Sequence, residues 1–312
     1  MGKLYLGTQE IGAAYAPNII SPEVYIPLMI FNHTLQKPSL SFTWTVPDTV
    51  TTIGSNGLSY AFVNYSSLTS VDFKNVTTIS TNGLYYAFDG CSKLTSANLS
   101  KVTTIGDSGL NSAFDSCSKL TSVDLSNVTS IGGNGLNNAF RGCSRLTTID
   151  LSKLTTIDIY GLQNAFYRSG VTSVDLSNAT TVNNYGLSSA FYSCTSLTSV
   201  DLSNLAVVNG NTLDSAFRGC TGLTTMSFDK VSSISPYGFV NAFRDCANLT
   251  TVSFPALTTS SFGTNTNQFN NMLKGCSGVT VHFPSAIQST IGSWSDVTNG
   301  FGGTNTTVLF DL

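Results

Sequence analysis

From Val50 to Phe283 the apolar residues fall on one template that returns along the chain. It is clearest in residues 102–125, VTTIGDSGLNSAFDSCSKLTSVDL. Leu120, Val123 and Leu125 form L-x-x-V-x-L, with Ser122 and Asp124 at the alternate positions, which predicts a short strand. Leu110, Ala113, Phe114 and Cys117 stand at i, i+3, i+4 and i+7, which predicts one stripe of a short helix. Val102 and Ile105 line the segment between them, and Gly109 relaxes the turn into the helix. Each unit therefore reads as a coil in which a strand wall and a helix wall close on an apolar strip.

The Ala-Phe pair returns at Phe62, Phe88, Phe114, Phe140, Phe166, Phe191, Phe217 and Phe243, a period of 26 residues with one slip to 25. A period of this size means a solenoid, because a unit so small buries its apolar face only against its neighbours. The expected fold is an α/β repeat solenoid, with a parallel sheet on one face, short helices on the other and a cap at each end. Nine strands at about 4.8 Å spacing give a sheet roughly 43 Å long. Helices are wider than strands, so the body is expected to curve with the sheet on its concave side.

The expected organisation is a strand-rich segment, a candidate attachment module, over 1–38, a cap strand over 39–49, nine repeats over 50–284 and a C-terminal cap over 285–312. Ser285, after Pro284, is the expected N-cap of a terminal helix, and TTVLFDL the final strand. Repeat five is irregular: YRSGVTSV is one residue short, and Ser169 or Gly170 replaces the Cys-Ser step. Its helix is expected to end early, leaving neighbouring side chains more exposed.

The strand LTSVDLSNV is similar to the L-x-x-L-x-L strand of leucine-rich repeats. The whole unit, I-G-x-x-(G)-L-x-x-A-F-x-x-C-S-x-L-T-S-V, resembles the BspA-like subclass of that family over residues 50–283. The resemblance implies a bacterial surface or secreted protein that binds host or matrix partners. It transfers no functional residue, because the matching positions are core. The start, MGKLYLGTQEIG, has no 7–15-residue apolar block of an export signal, which keeps a virion structural or receptor-binding component as the alternative.

Charged residues make up only 10% of the chain and apolar ones 41%, which at fixed spacing is not the composition of disorder. A net charge of −3 offers no general footprint for nucleic acid. No apolar run is long enough to span a bilayer, so no membrane insertion is expected. The cysteines, Cys91, Cys117, Cys143, Cys194, Cys220, Cys246 and Cys276, share one repeat position. Stacked in this way their Cβ atoms are about 5–10 Å apart, too far for disulfides, and ligands along a wall cannot converge on a metal. Seven unbridged buried thiols are expected, with no metal or cofactor.

Catalytic chemistry is sparse. His33 and His282 are the only histidines, and no HExxH, G-x-S-x-G or Walker loop is present, so no enzyme is expected. No deep pocket holding two titratable groups is expected on the sheet face. Two surfaces are candidates for a protein or glycan partner. The first is the aromatic set Tyr160, Tyr167, Arg168, Tyr185 and Tyr192 around the irregular repeat, where large rings among Ser, Asn and Gly suit recognition. The same rings can instead cover gaps between neighbouring coils. The second is the outward strand file on the concave face, Ser122, Asp124, Asp150, Asp175, Ser199 and Asp201, which suits a polar or glycan ligand. Aspartates about 5 Å apart repel by roughly 0.9 kcal/mol per pair in bulk water, and neighbouring hydroxyls can relieve them.

Overall fold

A computed structural model describes residues 4–6, 9–11, 40–262 and 267–312. Its body is a stack of coils in which every wall advances by one coil per repeat. Along one wall runs a parallel ladder of short strands, beginning at Phe42–Thr45 and Leu68–Asp72 and ending at Thr280–Phe283 and Thr307–Phe310. Equivalent residues stand in register, as in Thr148↔Ser173↔Ser199, Ile149↔Val174↔Val200 and Asp150↔Asp175↔Asp201. The alternation read in LTSVDL is therefore realised: Val123, Ile149, Val174 and Val200 face the core, and their neighbours face solvent.

A second parallel ladder of two-residue strands, from Thr52–Ile53 to Ser233–Ile234, runs beside the first. Sequence reading treats these residues as an apolar connection. Ile79, Ile105, Ile131 and Ile157 are nonetheless buried and paired, because a β-branched residue flanked by Thr or Ser fits a pleated, half-buried surface.

The expected helix wall is absent. Among the described residues the only helical segments are C-terminal, at Ser285–Ile287, Gln288–Ile291, Ser295–Thr298 and Gly300–Gly302. Where Leu110–Cys117 predicts a helix, the chain forms consecutive tight turns. The N–H groups of Gly109, Asn111, Ala113 and Cys117 donate three residues back, whereas those of Ser108, Leu110, Ser112 and Phe114 donate to Gly133, Gly135, Asn137 and Ala139 of the next coil. Every fourth residue is left-handed, as at Ser108, Ser112 and Ser116 with φ of 52°, 53° and 59°. This ribbon still points Leu110, Ala113, Phe114 and Cys117 inward, so it gives the same apolar stripe as a helix. A helix bonds within itself and is about 10 Å wide, whereas strands advance about 4.8 Å. The turn wall instead advances by one backbone hydrogen bond per coil, as the ladders do. That removes the premise for curvature driven by helix width.

The core runs the length of the stack. The rings from Phe62 to Phe243 form one file, with centroids 5.3–5.8 Å apart and planes within 12° of parallel. Offset stacking of this kind adds about 0.5–1.5 kcal/mol per pair to the burial of each ring. All seven cysteines are free and buried. Each thiol donates to a phenylalanine carbonyl one coil back, for example Cys117 Sγ to Phe88 O at 3.1 Å and Cys246 Sγ to Phe217 O at 3.0 Å.

Repeat five is absorbed without the expected exposure. Ser169 takes the cysteine position: it is buried, its N–H bonds Phe166 O at 2.8 Å, and its Oγ lies 3.5 Å from Cys194 Sγ. Leu162, Phe166 and Val171 stay fully buried. The shortened loop closes because Gly170 passes against Ser144, where a Cβ would lie 2.3 Å from the carbonyl oxygen. At the C-terminus Pro284, not Ser285, occupies the N-cap position, and no side chain caps the turn. Near the N-terminus Leu4–Leu6 pairs antiparallel with Gln9–Ile11. The run EVYIPLMIF and His33 lie outside the described residues.

Candidate interaction surfaces

The strand file lines two open grooves. One, of about 350 Å³, is bordered by Ser122, Asp124, Thr148, Asp150, Ser173 and Asp175, with Val123, Leu125 and Ile149 contributing apolar lining. The other, of about 620 Å³, includes Asp175, Ser199, Asp201, Ser227 and Asp229. All six strand-face candidates thus border a groove. Both grooves are open rather than deep, and carboxylates meet along them because the register that stacks the coils also stacks their aspartates.

These carboxylates are held by their own turns. Asp124, Asp150, Asp175 and Asp201 each accept the N–H two residues on, from Ser126, Ser152, Ser177 and Ser203, at 2.8–3.0 Å. Ser126 Oγ adds a 2.6 Å bond to Asp124. Hydrogen bonds from the Ser152 side chain and backbone lower the Asp150 pKa below its ordinary value, so it carries charge at neutral pH. Among the described residues none of the four forms an ion pair. The file therefore presents fixed negative charge among hydroxyls. Among the described residues no group of His, Cys, Asp and Glu is placed to hold a metal ion.

The grooves coincide with interruptions in the sheet. Backbone pairing of the first ladder stops between Ser122–Val123 and Thr148–Asp150, and again between Ser199–Asp201 and Thr225–Ser227. At the first of these steps the second ladder stops too, between Ser130–Ile131 and Thr156–Ile157. The core rings flanking it, Phe114–Phe140 and Phe140–Phe166, are 5.8 and 5.7 Å apart, the widest in the file. The turn wall remains bonded across the step, as in Phe114 N to Ala139 O at 3.0 Å and Phe140 N to Ala165 O at 2.8 Å.

The tyrosine candidates lie on the turn wall, and the structure brings them together as two pairs. Tyr160 stacks on Tyr185 at 5.0 Å, and Tyr167 on Tyr192 at 4.9 Å. Arg168 lies over the Tyr167 ring at 5.2 Å. Arg218, which sequence reading did not single out, lies over Tyr192 at 5.1 Å. Its signal was present in the chain, since Arg218 is 26 residues beyond Tyr192 and so occupies the same repeat position. Tyr160 and Tyr185 are themselves left-handed, with φ of 56° and 58°. A third cluster joins Tyr60, Tyr85 and Tyr86, with Tyr60 58% exposed. Half-buried stacked rings serve coil packing as well as presenting hydroxyl edges to solvent.

A parallel β-solenoid whose chemistry lies in repeated surface files, rather than in a closed cleft, belongs to the leucine-rich repeat class of interaction scaffolds. The model of the BspA type leucine rich repeat region matches residues 29–158, 111–241 and 213–294, in six copies, and the chain belongs to that family. Its fold is similar to that of a leucine-rich repeat protein from Bacteroides ovatus, with 21% identity over 86% of this chain and 83% of that chain (TM-score 0.29). It is also similar to a leucine rich cell surface protein from Faecalibacterium prausnitzii, with 18% identity over 85% and 87% (TM-score 0.39). A T. pallidum leucine-rich repeat protein shares 19% identity over 59% of this chain and 78% of that chain (TM-score 0.31). No curated protein matches. No helix of the described residues is long and apolar enough to cross a membrane.

Proposed function

We propose that this protein is a non-enzymatic adhesion or recognition module of a bacterial surface or secreted protein, and that its strand face receives a protein or glycan ligand. The observation carrying this reading is the pair of grooves lined by Ser and Thr hydroxyls and by carboxylates with no cation of their own among the described residues. Hydroxyls donate and accept, ionised carboxylates accept, and Val123, Ile149 and Met226 contribute apolar lining. That mixture suits an uncharged glycan or a protein surface carrying Lys or Arg.

The test is a panel of uncharged glycans and extracellular-matrix proteins. Any ligand found is assayed against Asp150→Asn/Asp175→Asn and, separately, Tyr167→Ala/Tyr192→Ala. Binding should fall by about tenfold or more in the aspartate variant, which removes two charge-assisted contacts, and hold in the other. Loss confined to the tyrosine variant would overturn the assignment of the face.

A further inference from the structure

Along the turn wall, the position after each core ring forms a second file whose chemistry changes from one end to the other. Backbone bonds set its register: Ser116 N to Arg141 O, Gly142 N to Tyr167 O, Arg168 N to Tyr192 O, Ser193 N to Arg218 O, Gly219 N to Arg244 O and Asp245 N to Lys274 O, all at 2.7–2.9 Å. The file therefore runs Arg141, Tyr167, Tyr192, Arg218, Arg244, Lys274. Of the five arginines in the chain, four stand on this file or beside it.

The two ends differ in what remains unpaired. Arg141 is neutralised by the buried Asp115, at 2.6 Å. Beyond the tyrosines, Arg218 and Arg244 share a single exposed carboxylate, Asp245, at 3.2 and 3.5 Å. Arg168 and Lys274 are exposed and form no ion pair among the described residues. Asp214, four residues before Arg218, is half-buried and accepts Ser215 Oγ at 2.9 Å. Four cations thus face one exposed acid within a chain whose net charge is −3.

The rings decide which anion this surface fits. Tyr167 is engaged by Arg168 and Tyr192, and Tyr192 by Tyr167 and Arg218. Rings already engaged by their neighbours are poor platforms for a stacked base, which disfavours the single-strand nucleic-acid mode. What remains outward are phenol hydroxyls, guanidinium edges and an ammonium, a row dominated by donors. The stacking also holds the Arg168 and Arg218 guanidiniums in place, which reduces the entropy lost on binding. Successive positions are about 5 Å apart, as the 4.9 Å Tyr167–Tyr192 spacing shows. An extended acidic peptide presents same-side groups only about every 6.7 Å. A polysaccharide bearing sulfate or carboxylate groups repeats closer to the coil step.

We propose that Arg168 and Arg218, held over the Tyr167–Tyr192 stack, form with Arg244 and Lys274 a binding surface for a sulfated or carboxylated polysaccharide. This surface is separate from the strand face and stands whether or not that face binds.

The probe is a fluorescein-labelled heparin oligosaccharide, followed by anisotropy at low and at physiological salt. The parent should bind at low salt and weaken as salt rises. Arg218→Gln/Arg244→Gln/Lys274→Gln should weaken binding by about tenfold or more, and Asp150→Asn/Asp175→Asn should leave it unchanged. Asp245→Asn should tighten binding a few-fold: it removes the competing acid, and asparagine tolerates the left-handed φ of 63° found there. If the triple variant does not fold, Arg168→Gln/Lys274→Gln on the exposed rim carries the same expectation. Absence of parental binding at low salt overturns the proposal, as does unchanged affinity in folded cation variants. Equally tight binding of a poly-glutamate peptide with the same variant dependence would overturn the polysaccharide assignment in favour of an acidic protein segment.

Discussion

At the scale of single residues, the tightest approach of a glycine to neighbouring backbone is at Gly170. Its backbone φ does not require glycine; what requires it is Ser144 O, 2.3 Å from the place a Cβ would occupy. That close approach lets repeat five lose one residue while Phe166 and Val171 remain fully buried. Gly170→Ala should therefore destabilise by about 1–3 kcal/mol through overpacking against backbone that cannot rotate away. A denaturant melt measures it, with Gly133→Ala as the control, since a Cβ there meets nothing closer than 3.7 Å. The short repeat was legible in the sequence. The residue that makes it tolerable was not, because the clash partner lies 26 positions earlier.

At the scale of elements, the interrupted step between Ser122–Ser130 and Thr148–Thr156 is the weakest place in the sheets. Thr121 and Thr172 donate backbone N–H bonds across their steps, to Thr95 O and Thr147 O at 2.9 Å, and Thr129 and Thr180 do the same in the second ladder. Thr147 and Thr155 form no such bond among the described residues. Their amides should exchange with deuterium about tenfold faster than those of Thr121 and Thr129, because exchange there needs no ladder bond to open. Peptide-resolved exchange decides this, and equal protection would mean that the ladders close at this step in solution. The strands were readable from period-two alternation. The turn ribbon was mistaken for a helix because both give the i, i+3, i+4, i+7 stripe. The discriminating signal was Asn or Gly recurring at four-residue spacing, as at Asn134, Asn138 and Gly142, where the backbone is left-handed.

At the scale of the whole molecule, one thiol file crosses the body and couples its stability to pH. Burial pushes the thiols above their ordinary value of 9.0, Cys194 and Cys276 to about 11 and Cys246 to about 12. Between the unfolded and folded values the native chain binds more protons than the unfolded one, so stability falls as pH rises. The melting temperature should be insensitive to the thiols below about pH 9 and should drop from there towards pH 11–12. Cys194→Ala/Cys246→Ala should flatten that drop. Alkylation under native conditions, followed by intact mass, should find the thiols slow to react until the chain unfolds. Rapid native labelling would place them outside the core.

The sequence by itself determined the repeat, the inward residues of every coil, the strand register and the absence of bridges between the cysteines. These are properties of periodicity: once units stack at a constant step, equivalent side chains must fall in files. The tertiary structure alone decided the rest. It replaced helices with turns, because the wall opposite the sheet must bond from coil to coil at the same step as the strands. It also interrupted the ladders beside the carboxylate file. Whether adjacent coils close their backbone pairing depends on local geometry across the stack, and spacing along the chain does not specify that.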